Sequence, residues 1–96
     1  MKNILLIGLG RFGRHMAQKL HDLNYQVLAI DKDERRVQDA MAYVTNAEIG
    51  DATDPTLIDA LGVEEFDLCV VTMGHDLQAS LEITALLKKH GAPFVL

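Results

Sequence analysis

Three glycines stand at positions 8, 10 and 13 of the stretch "LLIGLGRFGRHMA", residues 5 to 17, with an arginine at 11. In a GxGxxG run between a strand and a helix, the first glycine permits a tight turn and the second lets a pyrophosphate approach the main chain. The third lets the helix pack close against the strand. The amides that open such a helix lack intrahelical acceptors and sit at the positive end of its dipole, so an anion is favoured there. An exposed arginine at that end is disfavoured by roughly 0.3–1 kcal/mol. A bound polyphosphate reverses that sign, so Arg11 reads as a ligand clamp, the alternative being a side chain that snorkels away from the helix end.

The glycine pattern alone is a weak signal, and context raises it. Asp31 closes the next apolar run near the roughly 20-residue offset at which an acid accepts ribose hydroxyl protons. The alternative for Asp31, a cap for the second helix, is compatible with that role. Its charge would repel a 2′-phosphate, which disfavours NADP, while Arg35 and Arg36 supply local counter-charge. The Arg35-Arg36 pair otherwise reads as decoration of a solvated helix face.

Two further loops, "GDATDP" at 50 to 55 and "TMGHD" at 72 to 76, leave strand ends on the same edge of the expected sheet, where ligands of open α/β folds bind. Asp51 and Ala52 border the place of an adenine ring, and Thr72 to Gly74 line the floor beneath phosphates or ribose. Ordinary turn chemistry explains both loops equally well. The candidate cofactor-binding residues are therefore Gly8, Leu9, Gly10, Arg11, Phe12 and Gly13; Asp31, Lys32 and Arg35; Asp51, Ala52 and Thr53; and Thr72, Met73 and Gly74. No catalytic or metal-binding set is expected: His15, His21, His75 and His90 are scattered, and only His75 falls on the crevice edge. Cys69, the sole cysteine, has strand neighbours and reads as core.

The elements that must position these residues follow from short apolar runs at Asn3 to Ile7, Gln26 to Ile30, Ala47 to Ile49, Leu68 to Thr72 and Phe94 to Leu96, with helical patterns between them. Runs without alternation predict strands buried on both faces, and intervening helices predict right-handed crossovers in a parallel sheet. The expected fold is α/β, a Rossmann-like doubly wound sheet in the order 3-2-1-4-5, one domain over residues 1 to 96. The chain stops within or just after the fifth strand, as in a fragment of a longer protein. The first helix, about 12 to 23, repeats apolar residues at Phe12, Met16, Leu20 and Leu23, a stripe expected to pack on the sheet. In the third, Asp54 reads as N-cap, Pro55 as the first helical residue and Gly62 as terminator. The last, about 76 to 90, is polar only along Gln78, Glu82 and Lys89, so its remaining apolar surface calls for a cover beyond one sheet.

Composition bounds the function classes. With 49% hydrophobic and 24% charged residues the chain is that of an ordinary globular domain. A net charge of −5 and the lack of a basic run leave no electrostatic footprint for nucleic acid or an anionic membrane. No stretch is long and apolar enough to span a bilayer, and a signal-peptide layout is lacking, so a cytoplasmic location is expected.

The segments "GLGRFG", "AIDKDERRV", "GDATDP" and "CVVTMGHDLQASLEITALLKK" together resemble the N-terminal lobe of the RCK domain, also called KTN or TrkA-N, over essentially the whole chain. The resemblance is strongest to the regulatory subunits of Trk/Ktr-type potassium uptake systems. It implies a cytoplasmic, peripheral, non-catalytic nucleotide sensor that gates a membrane potassium channel or transporter. It implies homo-oligomers, as dimers or octameric rings, with the apolar last helix in the subunit interface. It places phosphates at Gly8 to Gly13 with Arg11 in contact, ribose at Asp31 and adenine beside Asp51, Ala52 and Thr53. The implied ligands are ATP and ADP, or NAD and NADH. The residues alone leave a second reading, the NAD-binding domain of a dehydrogenase whose catalytic domain lies elsewhere.

Overall fold

The computed structural model describes residues 2 to 96. Strand β1 (Asn3–Ile7) is followed by helix α1 (Arg11–Asp22), β2 (Gln26–Asp31), α2 (Glu34–Ala40) and β3 (Asn46–Ile49). Then come α3 (Pro55–Leu61), a 3-10 turn (Val63–Glu65), β4 (Leu68–Val71) and α4 (Leu77–Lys89). All strand pairs are parallel, in the order β3-β2-β1-β4.

β1 is apolar at every position from 4 to 7 because both of its faces are covered. Ile4 and Leu6 join Ala17 of α1 and Val37 and Ala40 of α2 in one core layer. Leu5 and Ile7 join Ile58 of α3 and Ile83 and Leu87 of α4 in the other. Helices on both faces are what right-handed crossovers of opposite direction produce. Cys69 belongs to the second layer, where burial pushes its thiol up to about 11.

The fourfold sheet corrects the expected five. Residues 94 to 96 run beside β4 in the fifth position, with Cys69 N–H donating to the Phe94 carbonyl and Leu96 N–H to the Cys69 carbonyl, at 2.9 and 2.8 Å. The pairing amounts to one parallel bridge, Cys69 to Val95, too little to constitute a strand. β3 stands at the edge that the expected order gives it, but it is not buried on both faces: only Ala47 is half-buried and Ile49 is 55% exposed.

α1 meets the sheet through its small residues. Gly13 and Ala17 are buried, Met16 and Leu20 flank them, and Phe12 and Leu23 of the expected stripe are exposed at 66% and 59%. Close approach of the helix axis is the reason. A Cβ on Gly13 would collide with the Gly8 carbonyl oxygen and lie 2.6 Å from Thr72 Oγ1. α2, α3 and α4 each begin with an aspartate cap: Asp33 accepts from Arg35 and Arg36 amides, Asp54 from Thr56, and Asp76 from Ala79. Gly62 then closes α3 in the left-handed region, as its sequence predicts.

The Gly13→Ala variant is therefore expected to lose about 1–3 kcal/mol of stability through overpacking against main chain, despite its better helix propensity. Gly10→Ala, with nothing within 4 Å of the added Cβ, is expected to unfold at the wild-type midpoint. Urea denaturation followed by circular dichroism reads both.

Candidate functional site

A crevice of about 550 Å³ opens at the carboxyl ends of the strands, floored by Ile7 and Ile30. One wall holds Gly8 and Gly10, the second Asp31, Lys32 and Arg36, the third residues 50 to 53, and the last residues 72 to 76 with Gln78, Ala79 and Glu82 of α4.

The turn after β1 is built by backbone economy. Gly8 adopts φ 101°, and a side chain there would strike the Thr72 carbonyl oxygen. Its amide donates to the Ile30 carbonyl at 2.8 Å, while Thr72 Oγ1 donates to the Gly8 carbonyl at 2.8 Å. The next amide, that of Leu9, donates to Asp31 Oδ2 at 2.8 Å. From Gly10 the pattern stops. Gly10 is the N-cap of α1, supplies no side chain, and is followed by three amides that open the helix. Among the described residues the amides of 10 to 13 find no internal acceptor, and the first α1 bond is Arg14 N–H to the Gly10 carbonyl, at 2.9 Å.

Asp31 is held from two sides. Oδ2 takes the Leu9 amide and Oδ1 takes the Asp33 amide at 2.8 Å, leaving further lone pairs on each oxygen. Its side chain is 9% exposed, and Arg36 approaches Oδ2 at 3.8 Å and Asp33 Oδ2 at 3.9 Å. The cap of α2 is Asp33, which sets aside the alternative reading of Asp31, and one expectation is corrected: Arg36 lines the crevice instead of only decorating a solvated face.

Asp51 organises the third wall. Its Oδ1 accepts from Thr53 Oγ1 at 2.7 Å and from the Thr53 amide at 2.9 Å. The hydroxyl bond above all, then the amide, holds the carboxyl below its ordinary value; slight burial opposes them and Lys32 assists. Ala52 is buried beneath this turn.

Of the residues expected to bind a cofactor, the crevice gathers Gly8, Gly10, Asp31, Lys32, Asp51, Ala52, Thr53, Thr72, Met73 and Gly74. Leu9 reaches it only through the amide held by Asp31, since its side chain is fully buried in the α1 layer. Gly13 contributes its helix-opening amide and its close packing. Arg11 is exposed at the first position of α1 beside the crevice, and Arg35 is exposed outside its lining. Phe12 faces a separate apolar groove with Met16, Leu20, Leu68, Val70 and Leu96. Arg36, Gln78 and Glu82 also line the crevice, beyond the residues the sequence nominates. The polar wedge on the first turns of α4 is the signal that could have found the latter two.

A parallel sheet in this order, with a glycine turn after β1 and a crevice over its carboxyl edge, defines a Rossmann-like domain of the nucleotide-binding kind. Residues 4–96 match the TrkA-N domain, and the chain belongs to that family. It is 38% identical over 92 residues to the Ktr system potassium uptake protein A of Bacillus subtilis, covering 96% of this chain and 41% of that protein. It is 34% identical over 94 residues to the protein of the same name from Vibrio alginolyticus, covering 98% and 43% respectively. The chain thus spans less than half the length of these relatives. Among solved structures, the Kef C-terminal domain of Shewanella denitrificans in its AMP-bound form superposes with a TM-score of 0.79 at 26% identity, covering 97% of this chain and 56% of that one.

The Asp51 turn yields a test by pH. A carboxyl whose value is depressed in the folded state adds stability above its unfolded value and loses that addition as pH falls through the folded one. Thr53→Val, which removes the leading cause, is expected to raise the Asp51 titration midpoint measured by carboxyl-carbon NMR. The variant's acid unfolding is then expected to begin at a higher pH.

Proposed function

We propose that this chain is the nucleotide-sensing domain of a cytoplasmic regulator of potassium transport, acting on a membrane channel or transporter and doing no chemistry of its own. The observation that carries the reading is the contrast among helix starts. Three helices are closed by aspartate caps, whereas α1 opens uncapped onto the crevice with the Gly10 position bare. A diphosphate bridging the amides of residues 10 to 13 supplies the missing acceptors at the favourable dipole end. Asp31 then takes ribose hydroxyls on its remaining lone pairs, and the base lies toward Asp51 to Thr53.

ADP and ATP, or NAD and NADH, share the adenosine and pyrophosphate that this arrangement accommodates. The AMP carried by the Kef domain supports an adenine ligand. The Ktr relatives support the link to potassium uptake and a non-enzymatic role, and His75, exposed at the crevice lip, has no side-chain hydrogen bond or ion pair among the described residues.

The regulator works as a homo-oligomer, in dimers or an octameric ring. Support comes from α4, whose Leu77 and Leu81 stand 69% and 63% exposed one turn apart, beside exposed Ala85. Ligands of different phosphate number pull unequally on Arg11 and the glycine turn, and Thr72 links that turn to the segment leading into α4. Moving a gate from 1:99 to 99:1 takes about 5.5 kcal/mol of differential binding, which several subunits share.

Titration calorimetry with ADP, ATP, NADH and NADPH tests the proposal. Adenine nucleotides lacking a 2′-phosphate are expected to bind, and NADPH to bind far more weakly because its 2′-phosphate meets the Asp31 carboxylate. Arg11→Ala is expected to weaken ADP by about tenfold, the size of a lost charge-assisted contact. Unchanged affinity would remove Arg11 from the site, and failure of every nucleotide would remove the sensor reading.

A further inference from the structure

We propose that Gln78 and Glu82 read the base of the bound nucleotide at its exocyclic amine, which makes the crevice selective for adenine over 6-keto purines. This rests on the nucleotide reading above and adds a specificity that neither the glycine turn nor Asp31 provides, since those groups meet parts common to every purine nucleotide.

α4 is apolar around most of its circumference, yet the two residues it turns to the crevice beside Ala79 are an amide and a carboxylate. At i and i+4 they are neighbours on the helix surface. Gln78 Nε2 donates to Glu82 Oε1 at 3.1 Å. That bond fixes what remains to be offered. Gln78 Oε1 and Glu82 Oε2 are left as acceptors, and one proton of Gln78 Nε2 is left as a donor. Both side chains are exposed, and among the described residues neither has a side-chain hydrogen-bond partner other than the other.

The adjoining surfaces suit a flat ring. Ile30 and Ala52 are buried apolar residues, and Met73 and Ala79 are half-buried, all lining the same crevice as the Gln78–Glu82 edge. With phosphates at residues 10 to 13 and the sugar at Asp31, the base is carried into the part of the crevice between the Asp51 turn and α4. There the two protons of an adenine amine meet two acceptors, and a ring nitrogen accepts the remaining Gln78 proton, the pairing that makes glutamine a reader of adenine. Hypoxanthine and guanine present a carbonyl oxygen at the same place. It would face the carboxylate and the amide oxygen, acceptor against acceptors.

Equilibrium binding of ADP and inosine diphosphate to the 96-residue chain tests this, with circular dichroism confirming that each variant keeps its fold. Wild type is expected to prefer ADP by about tenfold, the worth of one well-placed hydrogen bond to a charged group. Gln78→Ala/Glu82→Ala is expected to narrow the preference to within about twofold, weakening ADP while relieving the acceptor clash with inosine diphosphate. Glu82→Lys places a donor where the keto oxygen lies and is expected to shift the preference toward inosine diphosphate. A ratio that stays the same in all three proteins overturns the inference while leaving the nucleotide reading intact. Binding of neither diphosphate to wild type overturns the nucleotide reading, and base selection with it.

Discussion

The contact on which the rest of the molecule depends is the meeting of three backbones at Gly8, Gly13 and Thr72. The carbonyl of Gly8 lies where Gly13 would carry a side chain, and Thr72 closes the gap by donating its hydroxyl to that carbonyl. Interiors are packed near crystal density, so a single added carbon at such a point displaces main chain. The approach seats α1 on the sheet, turns the chain sharply after β1 and ties the ends of β1 and β4 together. A crevice with fixed walls is the result.

Asp31 is the second fastening. By holding the Leu9 and Asp33 amides it joins the glycine turn to the turn before α2 with one carboxylate, which fixes two walls of the crevice relative to each other. Arg36 approaches the same carboxylate and that of Asp33, so the charge at that wall is shared between a half-buried acid and two exposed groups.

Much of this was legible in the sequence, and the failures have physical reasons. Asp54, Pro55 and Gly62 specify α3 by local rules that tertiary packing does not alter. The order of the first four strands and the crevice edge follow from apolar runs separated by helices. The stripe on α1 differs from its sequence pattern because the closest contact is made by the smallest residues, Gly13 and Ala17, and leaves the bulky Phe12 and Leu23 outside. The apolar residues of β3 suggest burial on both faces, yet the edge place that the expected order assigns it leaves Ile49 open. Arg36, Gln78 and Glu82 could be placed on helices from sequence, yet whether they face a crevice depends on how each helix is rotated against the sheet.

α4 begins in the crevice wall and runs for 13 residues, about 20 Å. One side of it is seated in the core as far as its last turn, through Ile83 and Leu87. Its exposed leucines, Leu77 and Leu81, fall within the same first turns as Gln78 and Glu82. A shift of the crevice wall at this helix is therefore at once a shift of an apolar surface strip, with no intervening joint to absorb it.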